Sequence, residues 1–242
     1  MTSFAQTTFA AAVLAAFYGT FIGLTPPNPP KPHNSSTAPP PGDFAARYKL
    51  TVGPLLNLTM LPQAILAVHL ALLALTYPNI PPWLLGHHAH LHRPLNPSYI
   101  TWSHLTTLPL LLILLVGVPL RLIPYATLGK NFTFTLSPPE KLITTGIYKY
   151  AQHPAYTGAM FLLTCPMFLY YHLDGAMGCW VPDSWIGVGR FVERVLVPAC
   201  VVFWWAVMFK RVGEEEAMLK GRFGGEWERW HRVTARFFPG FF

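Results

Sequence analysis

Two polar clusters stand out in a chain that otherwise alternates long apolar runs with proline-rich breaks. The first is "YKYAQHPAYTG" (148–158), in which a histidine and a proline directly precede an apolar run. A proline suits the first turn of a helix, where its missing N–H costs nothing, and the free amides of that turn can hold a carboxylate or phosphate. The same stretch is also typical of a helix start whose tyrosines lie at a membrane interface. The residues alone leave both interpretations open.

The second cluster, "FKRVGEEEAMLKGRF" (209–223), combines basic residues with three consecutive glutamates. Arg211 and Glu215 are four residues apart, so on a helix they share one face and can line a pocket together. Three glutamates just outside a membrane are also typical of a solvated helix turn. Further along, apolar residues at helical spacing predict an amphipathic helix that lies on the bilayer surface. These residues are Trp227, Trp230, Val233 and Phe237.

The composition places both clusters in a membrane protein. Of the 242 residues, 52% are hydrophobic and only 11% are charged, against roughly 25% charged in a typical soluble domain. We predict an all-α integral membrane fold with about five transmembrane helices, because five segments are long and apolar enough to cross most or all of a bilayer core. These segments are 4–24, 51–77, 99–123, 154–173 and 191–209. The proline-rich loop 25–43 is predicted to be a spacer.

The basic residues indicate how these spans are oriented. With five spans, the C-terminal tail shares one side of the membrane with the loops 25–50 and 121–153. That side holds 3, 4 and 7 Lys or Arg residues in the two loops and the tail, 14 of the 17 in the chain. The positive-inside rule then makes this side cytosolic, which brings both polar clusters to one face. The net charge of +7 does not indicate nucleic acid, because the basic residues alternate with membrane-length segments.

The ordered motifs of the C-terminal half resemble those of the isoprenylcysteine carboxyl methyltransferases. They are "GKNFTF" (129–134), "EKLITTGIYKYAQHPAYTG" (140–158) and "FKRVGEEEAMLKGRFGGEWERWHRVTARFFPGF" (209–241). The resemblance implies a membrane enzyme of the endoplasmic reticulum, whose partners are prenylated CaaX proteins and membrane lipid. It would transfer a methyl group from S-adenosylmethionine to the C-terminal carboxylate of an S-prenylated cysteine. Residues 1–123 would form an N-terminal transmembrane region and 124–242 the methyltransferase core.

The same resemblance implies a cytosolic cofactor pocket between the loop before the fourth span and the helical tail. Arg211 corresponds to the arginine that binds the substrate carboxylate. The residues that correspond to cofactor-binding positions are Lys141, Leu142, Ile143, Tyr148, His153, Pro154, Ala155, Tyr156 and Glu215. Three kinds of departure from the family pattern occur. Gln152 replaces the usual arginine, Ala155 a frequent serine, and Trp227 and Trp230 the usual tyrosines. The family's arginine before His153 would supply a charge contact at the site, so its replacement by glutamine bears on substrate preference or rate.

The acceptor chemistry agrees with this interpretation. An α-carboxylate has a pKa of about 3.3–3.7, so it is already ionised at pH 7 and requires positioning rather than a general base. We expect no metal site. The histidines at 87, 88, 90 and 92 are interpreted as a solvated loop, and the three cysteines have neither metal-binding nor disulfide spacing.

Two alternative functions remain. One is a phospholipid or small-molecule methyltransferase of the same superfamily, with an amine or hydroxyl acceptor. The cation at Arg211 argues against an amine acceptor. The other is a non-catalytic membrane scaffold that retains the fold, for which the glutamine at position 152 is the motivation.

Overall fold

A computed structural model of the protein describes residues 2–28, 53–86, 95–129 and 139–240, together with Phe132, Phe134 and Leu136. Most of the predicted spacer (29–43) and the histidines at 87–92 lie outside the described residues. Within those ranges the regular structure is helical. The longer helices are α1 (Phe4–Leu24), α2 (Gly53–Thr76), α3 (His104–Leu111), α4 (Val118–Leu128), α5 (Pro154–Tyr170), α6 (Ile186–Phe191), α7 (Val197–Phe223) and α8 (Gly225–Val233).

Each of the five predicted spans coincides with helical structure. Three helical runs are long and apolar enough to cross a membrane, namely Phe4–Leu24, Pro97–Leu128 and Asp183–Phe223. The other two are α2, whose apolar part is Met60–Thr76, and α5, which has 17 residues. The fold is therefore all-helical over the described ranges and compatible with an integral membrane protein. The count of five crossings and the cytosolic orientation stay predictions.

Two π-helical segments keep the long runs continuous across prolines. Leu112–Gly117 joins α3 to α4, and Val192–Leu196 joins α6 to α7. Each is followed within two residues by a proline, at 119 and 198. A proline lacks the N–H of a regular helix, and its ring clashes with the carbonyl four residues back. In the wider π turn the N–H of Val118 donates to a carbonyl five residues back instead, so the chain passes the proline without ending the helix.

Helix α5 lies at the centre of the bundle, where it contacts α1, α2, α3, α4 and α7. Its approach to α4 requires Gly158. A Cβ atom at this position would lie 2.8 Å from the backbone nitrogen of Arg121 and 2.8 Å from the carbonyl oxygen of Gly117. Small residues let membrane helices approach this closely. The glycine of the 148–158 cluster therefore places Arg121 directly beside the first turns of α5.

The tail packs against the protein and not only against the bilayer. Trp227 is 6% exposed and packs with Leu142 and Leu219. The indole nitrogen of Trp230 donates to the backbone carbonyl of Tyr148 at 3.0 Å. The prediction that both tryptophans lie on the bilayer is wrong, because the aromatic face of α8 covers an apolar cluster formed by the loop and α7.

Candidate functional site

The 148–158 cluster meets the end of the helical tail through its backbone. The N–H of Gln152 donates to the carbonyl of Ala235 at 2.8 Å, and that of His153 donates to the carbonyl of Arg236 at 3.0 Å. Ala151 and Ala235 form an isolated parallel bridge. The structure thus brings together two regions that lie about eighty residues apart in sequence.

Glu216 adds a charged clamp to this pairing. Arg236 donates from Nε and Nη2 to the two oxygens of the Glu216 carboxylate, at 2.7 Å each. His153 Nε2 lies 3.1 Å from Oε1 of the same carboxylate and donates to it, because an ionised carboxylate can only accept. Glu216 lies beyond the predicted span end at residue 209. Burial raises the pKa of its carboxyl, but hydrogen bonds from His153 and Arg236 outweigh this and lower the pKa to about 2.

Gln152 forms a second, neutral clasp between the loop and the end of α8. Its Nε2 donates to the backbone carbonyls of His231, at 3.1 Å, and of Thr234. Both amide hydrogens are then used, so Oε1 is the atom that accepts from Nδ1 of His231 at 2.7 Å. The side chain is 4% exposed. An arginine, which has no acceptor atom, could not make the last of these bonds.

A cavity of about 700 Å³ lies between the loop, α5 and α7, within the usual range of ligand sites. All ten residues singled out in the sequence line it: Lys141, Leu142, Ile143, Tyr148, His153, Pro154, Ala155, Tyr156, Arg211 and Glu215. The N-terminal region contributes to the same wall, because Leu24, Met60 and Gln63 of α1 and α2 also line the cavity.

The polar end of the cavity is built around Tyr156. Its side chain interacts with those of both Arg211 and Glu215, so these two side chains share one face of α7 as their spacing predicts. Arg211 is 5% exposed and also donates to the backbone carbonyl of Phe134. Burial raises the pKa of Tyr148, and the negative charge of Glu215 raises it further. This end therefore presents both signs of charge in a poorly solvated space.

The other end of the cavity is an apolar arm between α5 and α7. Its lining residues are Leu163, Met167, Tyr171, Val192, Leu196, Cys200 and Trp204. Leu196 is 44% exposed, and Cys200 is exposed as well. The arm therefore reaches the apolar outer surface of the bundle. One continuous cavity joins a charged end to an apolar end that reaches the outer surface of the bundle.

The sequence interpretation missed Arg121 as a site residue and counted it as a loop charge. It lies inside α4, is 8% exposed and lines the cavity. A signal was present, since it is the one charged residue within "GVPLRLIPY" (117–125), and ionisable residues inside membrane segments commonly mark functional sites. Trp230 also lines the cavity, because α8 folds back onto the loop.

Comparison with known proteins agrees with the resemblance. The model of the isoprenylcysteine carboxyl methyltransferase (ICMT) family matches residues 108–173. This segment includes the loop and α5 but not the α7 residues of the cavity. No curated protein and no solved structure gives a significant match to the chain. Over the segment that holds the His153–Tyr156 motif, the chain is therefore similar to the isoprenylcysteine carboxyl methyltransferase family.

Proposed function

We propose that this protein transfers a methyl group from S-adenosylmethionine to the C-terminal carboxylate of S-prenylated cysteine, the last step of CaaX processing. The observation that carries the proposal is the single cavity with a charged end and an apolar arm. A prenylcysteine has the same two parts, a carboxylate and a long hydrocarbon chain on one small residue. The arm opens at Leu196 and Cys200, so the chain can enter laterally from the lipid.

The residues at the polar end fit the cofactor. S-adenosylmethionine carries an ammonium, a carboxylate and a sulfonium, and this end offers Glu215 for the cationic groups and the first-turn amides of α5 for the carboxylate. His153 is 3% exposed, and its Nδ1 is buried without a hydrogen-bond partner. Because Nε2 donates to Glu216, Nδ1 is left with capacity for a ligand. When bound, the cofactor supplies an electrophilic methyl group.

The chain's own task is positioning. Arg211 orients one oxygen of the acceptor carboxylate, and Tyr156 holds the guanidinium in place. The burial of Arg211, Tyr148 and His153 keeps water from the charged groups, which strengthens their electrostatic interactions. Holding two reactants in line contributes up to roughly 7–11 kcal/mol to lowering a barrier in ideal cases.

Methyl transfer to a phospholipid amine is disfavoured by the charges of the cavity. Arg211 and Arg121 both line it, and a cation repels a second cation in a poorly solvated space. We also propose, from the family and the charge asymmetry, that the protein resides in the endoplasmic reticulum membrane with the cavity's polar end towards the cytosol.

The test is an assay of membranes that contain the protein, with methyl-labelled S-adenosylmethionine and either S-farnesylcysteine peptide or phosphatidylethanolamine as acceptor. We expect label in a base-labile methyl ester of the peptide. Label in the lipid head group alone would make the protein a phospholipid methyltransferase. If neither product forms and the cofactor does not bind, the alternative of a non-catalytic membrane scaffold would be favoured.

A further inference from the structure

Arg121 is a buried cation without an anionic partner. Its Nε donates to the carbonyl of Gly23 at 2.7 Å, and its Nη1 donates to the carbonyl of Ala155 at 3.2 Å. No carboxylate in the described part of the chain forms an ion pair with it. Burial of a charge is costly unless an opposite charge or a dense set of polar groups compensates it.

Aromatic rings surround the guanidinium but bring no net charge. Its carbon lies 5.1 Å from the ring centre of Tyr125, 5.5 Å from that of Phe132 and 4.9 Å from that of Phe134. Ring faces attract a cation, which explains how the guanidinium is tolerated at this depth. The positive charge itself stays uncompensated, and its side chain lines the cavity.

The position of Arg121 directs that charge to the polar end of the cavity. Its backbone lies against Gly158, and its side chain reaches the carbonyl of Ala155 in the first turn of α5. The amides of that first turn add partial positive charge on the same wall. The buried guanidinium and the helix terminus thus favour an anion between α4 and α5.

We propose that Arg121 binds a carboxylate in this cavity. Under the proposed function, on which this inference rests, two carboxylates enter the site: the amino-acid carboxylate of the cofactor and the C-terminal carboxylate of the acceptor. Both have the same chemistry, a planar anion that two N–H groups of a guanidinium can bind together. Arg211 lies on the other helix wall, so the site has a separate cation available for each anion.

The experiment measures the affinity of the purified full-length protein, in lipid nanodiscs, for S-adenosylmethionine and for its decarboxylated analogue. The variants are Arg121→Gln, Arg121→Lys and the matched control Tyr125→Phe. The control removes another hydrogen bond to the Gly23 carbonyl, which the Tyr125 hydroxyl makes, from a residue that does not line the cavity. It therefore weakens the same structural tie and leaves the guanidinium in place.

If Arg121 binds the cofactor carboxylate, the wild type binds the analogue about tenfold or more weakly than the cofactor. Arg121→Gln loses most of this preference and Arg121→Lys keeps part of it. Tyr125→Phe, which retains the guanidinium and the aromatic ring beside it, keeps most of it. If Arg121 binds the acceptor carboxylate, the cofactor preference is unchanged in Arg121→Gln, and KM for the prenylcysteine peptide rises about tenfold.

Two outcomes separate this inference from the proposed function. Lost cofactor preference in Arg121→Gln, in a wild-type protein that methylates no prenylcysteine, would support the carboxylate site and reject the acceptor. Unchanged cofactor preference and unchanged acceptor KM in both Arg121 variants would show that Arg121 serves only to tie α1 to α5, and the inference would be wrong. Arg121→Lys keeps this test available if Arg121→Gln does not fold.

Discussion

The arginines at the two ends of α5 have opposite electrostatic surroundings. Beyond its C-terminal end, Arg190 pairs with Asp174 at 2.8 Å and with Glu193 at 3.0 Å. Glu193 also lies 3.0 Å from Nδ1 of His172, so each charge in this network has an opposite charge beside it. At the N-terminal end, the Arg121 guanidinium donates to carbonyls and lies against aromatic rings, and no carboxylate among the described residues pairs with it. A closed network stabilises the fold, whereas a charge left without a counter-ion in a cavity retains its capacity for a ligand.

Among the variants proposed here, Arg211→Ala, at the polar end of the cavity, should reduce methyl transfer most. Removal of a positioned cation at a reacting group commonly lowers kcat by about a hundredfold or more, and we expect this for transfer to prenylcysteine, with cofactor affinity nearly unchanged. Glu215→Ala is the matched contrast, with cofactor affinity lowered about tenfold. Initial rates and equilibrium binding measure both. Unchanged cofactor affinity in Glu215→Ala would reject the assignment of that residue.

Glu216→Gln should open the clamp between α7 and the tail. The amide keeps one acceptor oxygen but loses the negative charge and the second oxygen. The bond from Arg236 Nη2 is therefore lost and those from Arg236 Nε and His153 weaken, at a cost of about 1–2 kcal/mol given that Arg236 is partly exposed. We expect transfer to fall about tenfold and proteases to cut the tail faster. Arg232→Ala, an exposed change in the same segment, is the control and should do neither.

The pH dependence of this clamp follows from the lowered pKa of Glu216. A carboxyl with a lower pKa when folded stabilises the protein fully above its unfolded value of 4.5, and that contribution is lost as the pH falls towards about 2. Between pH 5 and 8, therefore, the Glu216→Gln deficit in thermal unfolding midpoint should stay constant. A deficit that shrinks within this window would place the relevant titration on another group.

Gln152→Ala should have a smaller effect on methyl transfer than Glu216→Gln and should act mainly on stability. It leaves the carbonyls of His231 and Thr234 without their donor in a buried place, at a cost of about 2 kcal/mol. We expect a lower unfolding midpoint and a severalfold rise in the cofactor KM, because α8 loosens over the cavity. Lys149→Ala, at an exposed loop position, serves as control. An unchanged midpoint in Gln152→Ala would mean that the backbone pairing alone holds the tail.

Arg190→Gln should have the smallest effect and complete the comparison. Its side chain is 30% exposed, so solvent screens its ion pairs, and we expect a stability loss below about 1 kcal/mol. Methyl transfer and cofactor affinity should not change. A tenfold loss of methyl transfer in this variant would show that the ion-pair network around Arg190 also takes part in the reaction.

Local patterns predict much of the helical structure. The apolar runs identify where helices form, because their length and composition are read directly from the chain. The spacing of Arg211 and Glu215 predicts their shared face, since it depends only on helical periodicity.

Tertiary contacts decide what local patterns leave open. The fold-back of α8 depends on the apolar cluster around Leu142, and amphipathic spacing cannot distinguish a protein surface from a lipid one. Arg121 was missed although its charge within an apolar run was a signal. Only the packing of α4 on α5 at Gly158 makes a residue counted with the loop part of the cavity lining.

The backbone pairing of 151–153 with 235–236 has a consequence for synthesis. The backbone bonds that hold His153 in the cavity wall are completed by residues made more than eighty positions later, after both helices of the apolar arm. A nascent chain can therefore insert its spans and begin to admit lipid before its charged end closes. Under the proposed function, methyl transfer should be absent from ribosome-bound intermediates until the segment around Arg236 has emerged.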